Sequence, residues 1–349
     1  MGIPVSVIIP VWNGRAYLEA TLRSVVDQTH PPGEVIVVDD GSTDGSGDLV
    51  RERFPQVKLV RQENRGVSAA RNRGVARAVH EYLAFCDADD IWLPWKLARQ
   101  AATLETCSPD GEPIHVLASR ALSVLDEETD ALALAMAGFH PPPPPRPSDL
   151  RKMTFVECLK RTPVSLSTFI VSKLAFDTAG GFDETIQAGE DWVLWVRLSA
   201  RWNIYVDPSR LCLYRLREGS LSTRSELRAR TTAAGLRKWA GSPEVRSMSE
   251  AEFRRLCSRH RLWNAYSCAV RGRRLPDEAF HGLPVDSWTV FPHGVALAIA
   301  RCLPGPFGIA CRLYRGYRVR RIRSRSRRLV GASRREAGAS RRLVGASRR

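Results

Sequence analysis

The chain has 349 residues, 44% of them hydrophobic, with 53 Lys and Arg against 37 Asp and Glu for a formal net charge of +16. Its length and apolar fraction exclude a disordered chain and suit one large domain with an extension, or two domains. Eight cysteines (Cys86, Cys107, Cys158, Cys212, Cys257, Cys268, Cys302 and Cys311) occur without any C-x-x-C pair, which argues against a zinc site or a dense disulfide framework and suits a reducing compartment.

The first hundred residues alternate strand and helix, the pattern of a parallel sheet with right-handed crossovers. Val5–Pro10 reads as a short apolar strand, entered without the basic leader and long apolar run of a secretory signal. A helix follows through Leu18, Leu22, Val25 and Val26, with Asn13 placed to cap it. Strands are expected at Glu34–Val38, Val57–Val60 and Tyr82–Cys86. Helices are expected after Ser42 or Asp44, over Asn64–Val79, and around Pro94–Thr106. Two apolar runs end in adjacent carboxylates, VIVVDDGSTD at Val35–Asp44 and YLAFCDADD at Tyr82–Asp90. Carboxylates at the carboxyl end of a buried strand lie at the crevice where open α/β sheets bind ligands. They are costly there unless something positive or hydrogen-bonding meets them. A nucleoside diphosphate with a divalent cation would do so.

Beyond residue 106 the pattern changes. His115–Leu125 reads as a strand, DEETD at Asp126–Asp130 as a turn, and His140–Pro147, with six prolines, as an extended loop. Glu190-Asp191 opens a helix marked by Leu194 and Leu198, Leu211–Leu216 is a closing strand, and Ser222 to Cys268 is helical. Trp288–Cys311 is apolar, but Pro292, Arg301, Pro304 and Pro306 break it short of a spanning helix. Cys311 to Arg349 holds fifteen arginines and one acid, Glu336, a net of +14 that leaves about +2 for the rest. Within this tail SRRLVGASRR occurs twice, at Ser326–Arg335 and Ser340–Arg349, a low-complexity segment expected to be disordered in isolation.

The segments VSVIIPVWNGRAYLEATLRSVVDQTHPPGEVIVVDDGSTDGS, ENRGVSAARNRGV, LAFCDADDIW, AGGFDETIQAGEDWVLWVRLSA and LYRLREGSLS together resemble glycosyltransferase family 2, inverting enzymes of the GT-A fold. The resemblance implies an α/β fold: a Rossmann-like, mostly parallel mixed sheet flanked by helices, with a C-terminal helical extension and a basic disordered tail. It places a GT-A domain at residues 1–222 (nucleotide half about 1–106, acceptor half about 107–222), a helical extension at 223–317 and the tail at 318–349. Asp40 would hydrogen-bond the nucleotide base, with Asp39 beside it and the backbone of Pro10, Val11 and Trp12 as the pocket floor. Asp87 and Asp89 match the family's D-x-D; Asp89 would ligate Mg²⁺ or Mn²⁺ and Asp87 would contact ribose or the metal's water. Arg71 and Asn72 match nucleotide-proximal positions, Asp191 the catalytic base, and Glu190 and Trp192 lie on the acceptor side. Two residues depart from the family's pattern: Trp12 stands where Tyr is common, and Arg217 where His is frequent.

The residues support that chemistry with rivals in view. Asp191 at a helix start would favour the dipole by about 0.3–1 kcal/mol without being a base, and Glu190 competes for the role. A Rossmann dehydrogenase fails because PVWNGRAY has one glycine, and a nucleotidyltransferase would need a glycine-rich, lysine-bearing loop after Pro10. The expected activity is sugar transfer from a nucleotide-sugar donor to a glycan or lipid-linked acceptor in cell-surface polysaccharide assembly. The expected place is the cytoplasm, peripheral on the inner face of the plasma membrane. The Arg-rich tail, poor in aromatics, favours an anionic membrane surface over nucleic acid. The alternative is an inactive protein that binds nucleotide-sugars or anionic surfaces.

Overall fold

The computed structural model describes residues 2–106, 108–129, 133, 145–160, 164–217, 220, 224–269 and 279–284. The expectations for the proline-rich loop up to residue 144, the apolar stretch Trp288–Cys311 and the Arg-rich tail lie outside them. Nine strands form one sheet among these residues: β1 (Val5–Val11), β2 (Glu34–Asp39), β3 (Lys58–Arg61), β4 (Tyr82–Phe85), β5 (Ile91–Trp92), β6 (Val116–Leu125), β7 (Arg151–Met153), β8 (Phe169–Ser172) and β9 (Ile204–Leu216). Their order is β3-β2-β1-β4-β8-β6-β9-β5, with β7 pairing to β9. The first four are parallel, β8 runs antiparallel to both β4 and β6, and β6 is again parallel to β9. The fold is therefore α/β with a mixed sheet, as the sequence implies.

Every residue of β1 is buried, because helices cover both faces of the sheet and leave no solvent side to alternate with. On one face α1 (Arg15–Val26) turns Leu18, Leu22 and Val25 inward. α2 (Ser46–Arg53) packs on the same face, with Leu49 and Val50 in the cluster that holds those α1 residues. On the other face lies α3 (Val67–Val75), whose small residues bring it close to the strands. Gly74 sits so near Ile8 that a Cβ would collide with that side chain.

The second half adds α4 (Lys96–Leu104), α5 (Phe155–Lys160), α6 (Lys173–Thr178), α7 (Glu190–Ser199), α8 (Ser225–Trp239), α9 (Pro243–Arg246) and α10 (Glu250–Ala269). Trp192 on α7 meets Trp239 on α8 edge-on, with ring centroids 5.1 Å apart. Gly235 makes that approach possible, since a Cβ there would lie 2.7 Å from Trp192 Cζ3. Ala229, Ala233 and Leu236 of α8 belong to the same apolar cluster as Ile8, Phe85 and Phe169, so the C-terminal helices share the sheet's core. No helix among the described residues is long and apolar enough to cross a membrane.

Local expectations need four corrections. Asn13 does not cap α1: Gly14 occupies that position without a side-chain cap, and Asn13, at φ 50°, accepts the Thr43 amide at 2.8 Å instead. Residues 126–129 are helical and not a turn. The helix expected over Asn64–Val79 is confined to Val67–Val75, because Gly66 at φ 91° breaks the chain before it. β9 begins at Ile204, seven residues before the expected Leu211, because Asp207, Pro208, Ser209 and Arg210 interrupt its apolar pattern at a register shift against β6.

Candidate active site

The carboxyl ends of β1, β2 and β4 open into a cleft of roughly 1920 Å³, well above the ~300–1,000 Å³ of a pocket for one small ligand. Pro10, Val11 and Trp12 lie on its wall, with Trp12 53% exposed. The neighbouring loop is fixed by cross-links to β1: the Asn13 amide donates to Ser42 Oγ at 3.0 Å and the Gly14 amide to Ser46 Oγ at 3.1 Å.

The two acids of VVDDGS have separate tasks. Asp39 is fully buried and is not among the cleft-lining residues. Its Oδ1 accepts the Ser42 amide at 2.8 Å and its Oδ2 lies 3.2 Å from Arg61 Nε. Its placement corrects the expectation of a nucleotide contact at Asp39, since strand alternation turns it away from the cleft while its neighbour faces in. Asp40 does line the cleft. It gathers Gln62 Nε2 and the Arg65 amide on Oδ1 (2.8 and 2.9 Å) and the Gly66 amide on Oδ2 (2.8 Å). A carboxylate offers about four acceptor positions, so one remains for a donor on a ligand.

Asp87, Asp89 and Asp90 follow β4. Asp87 Oδ1 accepts from Arg71 Nη2 at 2.6 Å and Asp89 Oδ2 from Arg217 Nε at 2.5 Å. Burial, and then the charge of Asp87, raise the pKa of Asp89, with Arg217 opposing. Asp90 is fully buried, accepts from Ser167 Oγ at 2.5 Å and the Arg215 amide at 3.0 Å, and serves the scaffold. Asp87 and Asp89 each keep a carboxylate oxygen outside these arginine contacts, and both face the cleft. Mg²⁺ and Mn²⁺ favour oxygen donors and are commonly held by one or two carboxylates plus substrate phosphates, so the pair fits a divalent cation. Among the described residues no cluster of three or more metal-ligating side chains occurs, so phosphate and water would complete the shell.

Arg71, on α3, is 3% exposed. Besides Asp87 it donates from Nη1 to Glu190 Oε1 at 2.6 Å, and its guanidinium carbon sits 5.2 Å from the Phe182 ring centroid. It therefore ties the D-x-D turn to the start of α7. Asn72 beside it is engaged with the GGFDE loop: it donates to the Phe182 carbonyl at 2.9 Å and Glu184 Oε1 at 3.1 Å and accepts the Phe182 amide at 3.0 Å.

Glu190 and Asp191 are thereby distinguished. Glu190 is buried and paired to Arg71. Asp191 lines the cleft, and its carboxylate accepts the Trp192 amide at 2.7 Å. Burial and the neighbouring Glu190 charge raise its pKa to about 6, against the opposing pull of that amide, Arg71 and Arg228. Trp192 is 5% exposed and donates from Nε1 to the Cys158 carbonyl at 3.0 Å, so it acts mainly as a packing wedge under the cleft.

Three site residues escape motif reading. Arg215, on β9, is buried, donates to the Asp89 carbonyl at 2.8 Å and Asp126 Oδ1 at 2.9 Å, and lies 4.9 Å from the Tyr17 ring centroid. Tyr17 itself lines the cleft and donates to Asp126 Oδ2 at 3.0 Å. Arg228 reaches the cleft from α8. An arginine inside the apolar alternation LCLYRLR is the one signal that could have marked Arg215.

Residues 6–116 match the model of the family described as glycosyl transferase family 2. The chain is 30% identical over 199 residues to an uncharacterized glycosyltransferase of Rickettsia bellii, covering 56% of this chain and 26% of that protein. It is 47% identical over 102 residues to TuaG of Bacillus subtilis, a putative teichuronic acid biosynthesis glycosyltransferase, covering 28% of this chain and 40% of TuaG. The chain thus spans well under half the length of either relative. Among solved structures it is similar in fold to S. aureus TarS in complex with UDP-GlcNAc, with a TM-score of 0.54, 18% identity and coverage of 93% of this chain and 92% of that one. It is also similar in fold to the mannosyltransferase PcManGT of Pyrobaculum calidifontis in complex with GDP-Man and Mn²⁺, with a TM-score of 0.52, 18% identity and coverage of 95% and 86%.

Proposed function

Because residues 6–116 match the glycosyl transferase family 2 model, we propose that the chain is a member of that family and transfers a sugar from a nucleoside-diphosphate sugar to an acceptor hydroxyl, inverting the anomeric centre in one displacement. The observation that carries this reading is the contrast between neighbouring acids: Glu190 is neutralised by Arg71, whereas Asp191 faces the cleft with its pKa raised to about 6. A carboxylate in that range is ionised at neutral pH yet basic enough to take a proton from an attacking hydroxyl, since general-base catalysis is most effective with a pKa near the operating pH. The acceptor oxygen forms its bond to C1, the C1–O bond to the diphosphate breaks with its electron pair, and the hydroxyl proton passes to Asp191.

At the donor end, the remaining acceptor position of Asp40 suits a ring N–H of the nucleobase, and the exposed face of Trp12 suits stacking on it. Asp87 and Asp89 would hold Mg²⁺ or Mn²⁺, which supplies positive charge to offset that developing on the leaving diphosphate. Arg217, at the edge of this pair, brings a further cation to the same region. The TuaG likeness supports a role in cell-surface glycan assembly. The +14 tail supports a place on the inner, anionic membrane face, where each basic residue contributes about 1 kcal/mol.

Incubating the full chain with UDP-, GDP- and dTDP-sugars and a soluble glycan, with Mn²⁺ or EDTA, tests the proposal. Metal-dependent release of nucleoside diphosphate, with the opposite anomer in the product by NMR, is expected. A product that retains the donor's configuration, or turnover indifferent to EDTA, would contradict it.

A further inference from the structure

The cleft is larger than a nucleotide-sugar needs, and its charge is unevenly spread. Its acids, Asp40, Asp87, Asp89, Glu184, Glu190 and Asp191, all lie on the donor side or at the base. The wall built by the later elements, the far wall, carries Arg120, Lys160, Arg210, Arg224, Arg228 and Arg259; Asp191 borders it, close enough to Arg228 for that charge to lower its pKa. The cations nearer the donor are matched: Arg65 by Glu184, Arg71 by Asp87 and Glu190, and Arg217 by Asp89. On the far wall Arg120, Lys160, Arg224 and Arg259 are exposed and form no ion pair within 4 Å among the described residues, although Lys160 lies near enough to Glu252 to lower its pKa.

Arg120 and Arg210 are register partners on the parallel strands β6 and β9, between two register shifts. Arg224, just before α8, and Arg228 and Thr232 on it line the cleft, while Ala229, Ala233 and Leu236 fill the core. The His260 ring nitrogen Nε2 meets the Leu159 carbonyl at 2.7 Å, which joins the segments bearing Arg259 and Lys160. His260 adds no charge, because burial lowers its pKa to about 4. Between these cations Trp263 is 50% exposed on the same wall, a flat apolar face of the kind that packs against a sugar ring. A concave surface of one sign focuses its field and concentrates oppositely charged ligands.

We propose that the acceptor is an anionic glycan chain, seated along this wall with its charged groups on Arg120, Lys160, Arg224 and Arg259 and a sugar ring on Trp263. The proposal rests on the glycosyltransferase reading for the meaning of "acceptor", although binding can be measured without turnover. Carboxylate and phosphodiester groups would satisfy the wall by the same chemistry.

The test is fluorescence anisotropy on the full chain with labelled polygalacturonate, glycerol-phosphate polymer and dextran of matched length, plus a single-stranded oligonucleotide. At least one anionic glycan should bind about ten-fold or more tighter than dextran, with the advantage shrinking between about 50 and 300 mM salt; the tighter of the two identifies the acidic group. Lys160→Glu with Arg259→Glu should weaken that binding by about ten-fold or more, with the Kd for UDP or GDP in Mn²⁺ within about two-fold. Lys160→Gln with Arg259→Gln should give a smaller loss in the same direction and covers the case in which the reversal fails to fold. Equal binding of dextran, retention of the anionic glycan by the folded reversal or neutral variant, or tighter binding of the oligonucleotide would each overturn the proposal. A chain that binds no nucleoside diphosphate but still selects anionic glycans through these residues would refute the transferase reading and leave the wall assigned.

Discussion

The two halves of the cleft are built to different plans. Residues up to about 90 contribute four parallel strands with the acids Asp40, Asp87 and Asp89 beyond their ends. The later half meets Asp89, with Arg217 on its carboxylate and Arg215 on its carbonyl, while Asp87 is held by Arg71 and Asp40 by Gln62 and two backbone amides. The exchange runs the other way at Glu190, an acid of the later half held by Arg71 from the earlier one. Asp191 is the exception: a carboxylate with no ion pair at hydrogen-bond range among the described residues, and the one acid of the later half with its pKa raised to about 6. The difference teaches that ion pairs hold Asp87, Asp89 and Glu190 in place, and under the proposed function it leaves Asp191 to take the proton.

Asp191→Asn is the strongest way to break that contrast. Loss of a general base costs about 10²–10⁴-fold in turnover, and steady-state kinetics should show that loss with the donor Kd unchanged. The same variant carries a stability signature. The folded pKa of about 6 lies above the unfolded value of about 3.9, so this group favours folding at low pH and loses that contribution as pH rises through about 6. Asn should therefore leave Tm at pH 8 unchanged or higher, whereas a mere helix-start role predicts a small drop. In the wild type, turnover should fall on the acid side with a midpoint near pH 6. Full activity at pH 4.5 would remove Asp191 from the mechanism.

Arg71→Met strikes the pairing itself. Removing one partner of a buried ion pair typically costs about 3–5 kcal/mol, here leaving Glu190 buried without its cation, and urea unfolding should show a loss of that order. The acid limb of the rate profile should also move upward, because Arg71 holds the Asp191 pKa down. An unshifted limb would separate Arg71 from the base.

Asp89→Ala tests the donor half. It should remove the Mn²⁺-dependent part of nucleoside-diphosphate affinity, about 10–100-fold by the scale of metal-site substitutions, and EDTA should do the same to the wild type. Isothermal titration with both would show it, and equal affinities in Mn²⁺ and EDTA would count against the site.

The smallest expected effect sharpens the packing side. Gly235→Ala gains about 1 kcal/mol of helix propensity, but its Cβ would lie 2.7 Å from Trp192, and overpacking costs about 1–3 kcal/mol. A net loss of stability of up to about 2 kcal/mol is expected, and a stabilised variant would show that α8 can move away from α7.

Much of the first half was legible because its signals are local. Apolar runs that stop at Asp39 and Asp87 mark both strand and site. Asp39 was misjudged because two adjacent acids look alike in sequence, while strand geometry turns them to opposite sides. The second half resists reading because its pairings are distant. β8 lies between β4 and β6 although it follows both in sequence, and the polar interruption at Asp207 to Arg210 concealed half of β9. Arg215 and Arg228 act through partners more than thirty positions away in sequence, and no motif announces them. The resemblance ranks Asp191 over Glu190 as the base, but the residue that separates them physically, Arg71, lies 119 residues from Glu190 and carries no sequence signal of that link.

That arginine has a consequence for how such chains can change over generations. With Arg71 holding Asp87 and Glu190 at once, loss of either acid leaves the other paired, whereas loss of the arginine alone leaves Glu190 buried and uncompensated. The arginine should therefore be the last of the three to drift. A relative that lacks it should also have given up the acid at the position of Glu190. A relative that keeps both acids without a cation in reach would show that this linkage is particular to the present chain.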